Sequence, residues 1–229
     1  MTGLTIRDLH SVTDDPALVA RVYADVLRPS FTVDELSGPA AVEPGEARVL
    51  TVALDDDGTP VAAAVTEIEP VVCLLGYLAV SPAARGLGAG GRIMAHLVQS
   101  WQAAGLPLVL AEVHDPRGHA ETEDEHPQAR LRFYGRAGAD VLDVPWVQPA
   151  LAGGERVADM LLLVLHRAEP VDVPSGPLLT WAQDYFAESE GALPRDRQGL
   201  GLLARIAARD PIPVLPLDQW ERVQPLGLG

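Results

Sequence analysis

The chain has 229 residues, 48% of them apolar, with 17 basic against 32 acidic side chains and a formal net charge of −15. That balance works against binding nucleic acid or an anionic membrane, and no apolar run approaches the about 20 residues a spanning helix needs. A single cysteine, Cys73, excludes a disulfide within the chain, and the absence of lysine removes Schiff-base, pyridoxal-phosphate and Walker-type phosphate chemistry.

The first residues, Met-Thr-Gly-Leu-Thr-Ile, carry neither a basic start nor a signal-type apolar stretch, so a cytoplasmic globular protein is expected. LTIRDLH (4–10) alternates as a first strand, and residues 14–31 read as a helix with early acids and Pro16. VDELSG (33–38) reads as a short second helix. ARVLTVAL and VAAAVTEIE form a predicted hairpin, with Asp57-Gly58 supplying the turn. VVCLLGYLAV (71–80) is a strand too apolar to face solvent. Residues 90–105 carry Ile93, Leu97, Val98 and Trp101 on one side of a helix that Gly105 stops.

PLVLAEVH (107–114) is another buried strand, and a polar acidic loop follows it. Residues 128–139 predict a helix, and 140–151 with 156–168 a closing pair of strands. Beyond Pro170 the text changes to a linker, two helical segments (178–190 and 196–209) and a proline-rich end. The stripe Leu178, Leu179, Trp181, Ala182 and Tyr185 must bury, by default on the chain's own sheet. This order predicts an α/β protein with a mixed sheet, not a doubly wound fold.

Between the strand ending at Val80 and the next helix lies SPAARGLGAGG, which holds two overlapping glycine patterns. Gly86, Gly88 and Gly91 spell a dinucleotide fingerprint, with Glu112 at the ribose-binding distance. However, that fingerprint turns directly off its strand, whereas five residues intervene here. Either way the physics is shared. Unpaired amides at a helix start bind phosphate, and glycine lets the main chain approach.

LAVSPAARGLGAGGRIM resembles motif A of the GNAT acyltransferase superfamily, a strand followed by x-Pro-x-x-Arg-Gly-x-Gly-x-Gly and a helix. ARLRFYGRAGADVL resembles the family's A-x-x-x-x-Tyr-x-x-x-Gly-Phe segment, with Tyr134 and Gly138 in register and Ala139 in place of Phe. The resemblance covers residues 1–168 and leaves 169–229 as a helical C-terminal extension. It implies a GNAT fold, with a mixed, mostly antiparallel central sheet of six to seven strands flanked by helices. It also implies an N-acyltransferase moving an acetyl or other short acyl group from acyl-CoA to a primary amine, of a small molecule or a lysine side chain, without a metal.

By the same resemblance, Arg85, Gly86, Leu87, Gly88, Ala89, Gly90 and Gly91 bind the pyrophosphate, and the backbone of Leu78, Ala79 and Val80 pairs with the pantetheine arm. Tyr134 protonates the departing thiolate. The strand position where some members carry a base holds Leu74, so Glu112 is the expected base, with His114, Glu67 and Glu69 as further candidates. A structural Glu112 bonded to an arginine such as Arg132, and a water chain as base, stay open. The asparagine often found ahead of the Tyr helix is replaced by Pro127, and His126 or backbone would take over its contact.

Four acids in ETEDEH (121–126) suit a cationic acceptor or a merely solvated loop. His119 and His126 have no metal-site spacing, and Cys73 reads as core. Two other readings stand beside the enzyme: a module binding CoA without turnover, and acyl transfer from a carrier-protein or aminoacyl-tRNA donor. The tail could serve a homodimer, a lid or a subdomain.

Overall fold

The computed structural model describes residues 3–32, 35–36, 38–122, 125–151 and 153–227. The chain forms two compact units, Met1–Leu106 and Pro107–Gly229.

In the first unit, β1 (Thr5–Leu9), β2 (Arg48–Leu54), β3 (Pro60–Glu67) and β4 (Cys73–Val80) lie side by side in that order, every pairing antiparallel. The β2–β3 turn follows the predicted chemistry. Gly58 takes φ 72°, and Asp55 Oδ1 accepts from the amides of Asp57 and Thr59 at 3.0 and 2.8 Å. Alternation gives the strands two apolar faces. Leu9, Leu50, Val52, Ala63 and Val65 pack against Leu18, Val19, Val22, Val26 and Leu27 of the first helix.

That helix, α1 (Pro16–Val22), starts later than its acids suggest, because Asp15 is its cap and accepts from the Leu18 amide at 3.1 Å. Asp14 instead closes a capping box with Ser11 one turn earlier. The helix continues as a π turn, Tyr23–Leu27. The predicted short helix at 33–38 falls partly outside the described residues. α2 (Ala89–Ala103) packs on β2 and β3, where the Trp101 indole donates to Thr66 Oγ1 at 3.3 Å. Gly105, at φ 65°, lies just beyond its end, as predicted.

In the second unit, β5 (Leu108–His114) pairs β8 (Val157–Arg167), β8 pairs β6 (Asp140–Leu142), and β6 pairs β9 (Val214–Pro216), all antiparallel. β7 (Trp146–Gln148) also pairs β8. α3 (Pro127–Arg136) lies on β5. α4 (Ser175–Glu190) and α5 (Arg197–Ala207) pack on each other.

The tail is more than helical. Its proline-rich end, for which no element was predicted, supplies β9 and a 3-10 turn at Leu217–Arg222, because β6 offers an open edge at Asp140–Leu142. The tail's stripe buries within its own unit as expected: Leu178, Trp181 and Ala182 are buried, and Trp181 stacks on Trp146 at 5.3 Å. Arg156 anchors α4 through Glu190 at 2.6 Å and pairs with Asp196, the N-cap of α5, at 2.8 Å. Nine strands are present among the described residues, more than the six to seven predicted; β7 and β9 are three residues each.

Candidate active site

The strand, loop and helix of the first glycine-rich motif are continuous in the first unit. β4 is bulged at Gly76: Val65 opposes Tyr77 while Thr66 opposes Leu75. Leu78, Ala79 and Val80 follow, paired with Ala64, Ala63 and Ala62. A 3-10 turn, Pro82–Ala84, then leads to Arg85, whose Nε reaches back to the Val80 carbonyl at 3.4 Å.

Gly86 and Gly88 take φ 76° and 83°, the left-handed region that favours glycine. Gly88 is the N-cap of α2 and supplies no side chain to its first turn. The amides of Gly88, Ala89, Gly90 and Gly91 therefore have no partner among the described residues. Among the described residues, apart from chain neighbours and the helix's own backbone, no atom lies within 4 Å of where a Cβ at Gly86, Gly88 or Gly91 would stand. A row of open, outward amides with empty space before it fits a diphosphate, and this is the test that a CoA-type ligand has to pass here. Leu87, 56% exposed, presents its side chain to solvent.

The second unit holds the titratable candidates. Glu112, on β5, is bonded to β7 and to the tail. Oε1 accepts from the Trp146 indole at 2.5 Å, and Oε2 accepts from the Gln148 amide at 2.7 Å and the Tyr185 hydroxyl at 3.1 Å. Two residues along the strand, His114 Nδ1 lies 2.8 Å from Glu125 Oε2, and Arg130 Nη2 holds the other Glu125 oxygen at 3.1 Å. The His114 bond, opposed by burial and helped by the Arg130 charge, keeps the Glu125 carboxyl below its ordinary value. An ionised Glu125 accepts, so His114 donates from Nδ1, and in the neutral form of the ring the lone pair is on Nε2. Nε2 has no partner among the described residues. The ring stacks on His119 at 4.0 Å, and His119 is itself fixed by the Ala158 carbonyl at 2.9 Å.

Tyr134 is buried on α3, its ring edge-on to Phe133 at 5.1 Å. Burial pushes its phenol from 10.0 to about 12, against a smaller opposing pull from the Arg130 charge. Its hydroxyl has no hydrogen-bond partner among the described residues. Gly138, at φ 86°, ends this segment and Ala139 is buried.

The remaining candidates have other employment. Glu67 pairs with Arg48 at 3.8 Å. Cys73 is core, its thiol pushed up by burial. In the acidic loop, Glu121 bonds His126 at 3.0 Å and Glu125 bonds His114, while Glu123 and Asp124 lie outside the described residues. Among the described residues no group of three His, Cys, Asp or Glu could hold a metal ion, and no helix is long and apolar enough to cross a membrane. Sequence reasoning missed the donors to Glu112 and the carboxylate behind His114, because these partners stand 11 to 73 positions away with no periodic relation to it.

Open amides at a glycine-lined helix start, in a mixed and mostly antiparallel α/β fold, are a geometry able to receive a phosphate group. The family comparison makes the class specific: the acetyltransferase (GNAT) family model matches residues 20–138, more than half the chain, and the protein belongs to that family of acyltransferases. No curated protein matches the sequence.

Among solved structures, the fold is similar to one described as a GNAT-family acetyltransferase from Bacteroides thetaiotaomicron, with TM-score 0.56, 21% identity, and coverage of 71% of this chain and 88% of that one. The ribosomal-protein-S18-alanine N-acetyltransferase from Escherichia coli gives TM-score 0.48 and 20% identity, covering 71% and 93%. The aminoglycoside 6'-N-acetyltransferase from Enterococcus faecium gives TM-score 0.49 and 16% identity, covering 71% and 97%.

Proposed function

We propose that this acyltransferase moves an acetyl or other short acyl group from acyl-CoA to a primary amine, of a small molecule or a lysine side chain, by direct attack in a ternary complex. The observation that carries this reading is the row of unpaired amides from Gly88 to Gly91 behind two left-handed glycines. These amides and Arg85 hold the diphosphate, while the Leu78–Val80 backbone pairs with the pantetheine amides. Acyl-CoA, when bound, supplies a thioester activated toward amines. An N–H of Leu78 or Val80 donates to the carbonyl oxygen as negative charge grows on it.

In the balanced reaction the amine nitrogen forms a C–N bond to the acyl carbon, the C–S bond breaks, and one proton travels from nitrogen to sulfur. Tyr134 supplies the sulfur's proton. Its high phenol pKa keeps it protonated at neutral pH, and its hydroxyl is not committed elsewhere among the described residues. Two β5 side chains can remove the amine's proton. Glu112 is already engaged by three donors, whereas His114 has Glu125 behind Nδ1 and a lone pair on Nε2. We therefore assign the base to His114, with Glu112 the lesser candidate and primarily a strut. A cationic acceptor suits the acidic loop, although Glu121 and Glu125 are partly spent on His126, His114 and Arg130. The catalytic part is taken as residues 1–168, and the acyl-CoA donor implies a cytoplasmic setting.

The test has two arms. Thermal shifts with acetyl-, propionyl- and longer acyl-CoAs report the donor, since a ligand that binds only the native state raises the melting temperature. Thiol release with a panel of amines then compares wild type, Tyr134→Phe, His114→Gln and Glu112→Gln. Loss of about 10²-fold or more in kcat for Tyr134→Phe and His114→Gln supports the roles. A donor that stabilises the protein without thiol release for any amine identifies a binding module instead, and no stabilisation by any acyl-CoA overturns the reading.

A further inference from the structure

The first unit contains a cavity of about 360 Å³ that the acyl-transfer reading does not use. It lies between the C-terminal half of α2 and the first three strands, on the opposite side of those strands from α1. Ser100 and Trp101 line it, 12 and 13 residues beyond Gly88, so roughly 18–20 Å of helix separate it from the phosphate loop at 1.5 Å per residue. Its size falls within the range of small-molecule pockets, about 300–1,000 Å³.

The walls and the end differ in chemistry. Val49, Ile68, Leu97, Trp101 and Leu106 make the walls apolar. Trp101 presents its ring here because its N–H is already satisfied by Thr66, a buried hydroxyl. The polar end is Asp8, whose Oδ1 accepts from Thr51 at 2.6 Å and whose Oδ2 lies 2.9 Å from His96 Nε2 and 3.3 Å from Ser100 Oγ. Burial raises the Asp8 carboxyl, but the bonds from Thr51 and His96, the His96 charge and the Ser100 bond together hold it below its ordinary value. A carboxylate has about four lone-pair sites, so Asp8 can take one more donor. Among the lining residues there are two carboxylates, Asp8 and Glu46, one imidazole, His10, and no arginine. An apolar hollow left empty forfeits dispersion contacts along every wall, and a half-buried carboxylate with a free lone-pair site at its end favours a cationic guest.

We propose that this cavity is a second ligand site, which takes a small molecule with one apolar, ring-sized body and one protonated amine docked on Asp8. The charge of the lining selects the amine over a carboxylate, and the depth of apolar wall selects it over a polyamine or an aminosugar.

Calorimetry on the full chain tests it with three probes of one shape: phenethylamine, phenethyl alcohol and phenylacetate. The amine is expected to bind saturably at one site, about tenfold or more tighter than the alcohol, with the carboxylate weakest. Asp8→Asn should erase the preference for the amine, and Val49→Phe, which fills the hollow, should abolish binding of all three. Should Asp8→Asn fail to fold, the amine-to-alcohol ratio on wild type and the loss in Val49→Phe carry the test. The proposal is overturned if phenethylamine does not saturate, if phenylacetate matches it, or if Val49→Phe binds like wild type, which would put the amine elsewhere. Since no acyl-CoA is present, the outcome is independent of the acyl-transfer reading.

Discussion

The hydroxyl of Tyr185, on α4, donates to Oε2 of Glu112, on β5, at 3.1 Å across 73 positions of the chain. This bond makes residues beyond 170 part of the second unit's interior. The same helix stacks Trp181 on Trp146, whose indole reaches the other Glu112 oxygen. Deleting 171–229 therefore strips cover from Trp146 and removes β9 from the edge of β6. The truncated chain is expected to aggregate on expression. A soluble truncation with wild-type thiol release would show that the tail is dispensable.

Tyr134→Phe separates chemistry from packing. The hydroxyl has no partner among the described residues, so its removal is expected to change stability by less than about 1 kcal/mol while kcat falls. Linkage gives a second signature. Because the folded phenol titrates near 12 and the free one near 10.0, its contribution is fully present below pH 10 and is lost as pH rises toward 12. Denaturation midpoints measured across that alkaline range should fall more steeply for wild type than for Tyr134→Phe.

Two neighbouring glycines should respond in opposite ways. Gly88→Ala forces a side chain into φ 83° and is expected to cost about 1–2 kcal/mol of stability as well as donor affinity. Gly91 sits in the first turn of α2 without positive φ, so Gly91→Ala should raise stability by up to about 1 kcal/mol. Its new methyl would stand in the space before the open amides and weaken acyl-CoA binding. Melting curves with and without acetyl-CoA read both effects; equal behaviour of the two variants would contradict the loop geometry.

The Arg156–Glu190 pair supplies an acid-side prediction. Arg156 bonds both Glu190 oxygens at 2.6 Å and lies over the Phe186 ring. The Arg156 bond first, against burial, holds the Glu190 carboxyl below its ordinary 4.5. That stabilisation is present above about pH 4.5 and disappears as pH falls through the lower folded value. Arg156→Met should cost about 2–3 kcal/mol at neutral pH and flatten this acid limb, as followed by urea midpoints between pH 3 and 7.

Local chemistry was readable from the chain alone. The hairpin at Asp57-Gly58, the stop at Gly105, the glycine turn before α2 and the Tyr134–Gly138 segment all depend on neighbours within a few residues. Backbone conformation there is chosen by the residues themselves, through φ preferences, caps and alternation. Asp15 caps α1 for an equally local reason: its carboxyl meets the Leu18 amide.

Tertiary structure decided what each side chain bonds. Glu112, expected as a free base, carries the weight of Trp146, Gln148 and Tyr185, while His114 gained a carboxylate from a loop. The proline-rich end became a strand because β6 left unpaired backbone for it. Long-range hydrogen bonds are set by which surfaces meet after collapse, and no spacing along the chain encodes that meeting. The open amides before α2 belong to the sequence, whereas the partners of the titratable side chains are decided by the folded surfaces.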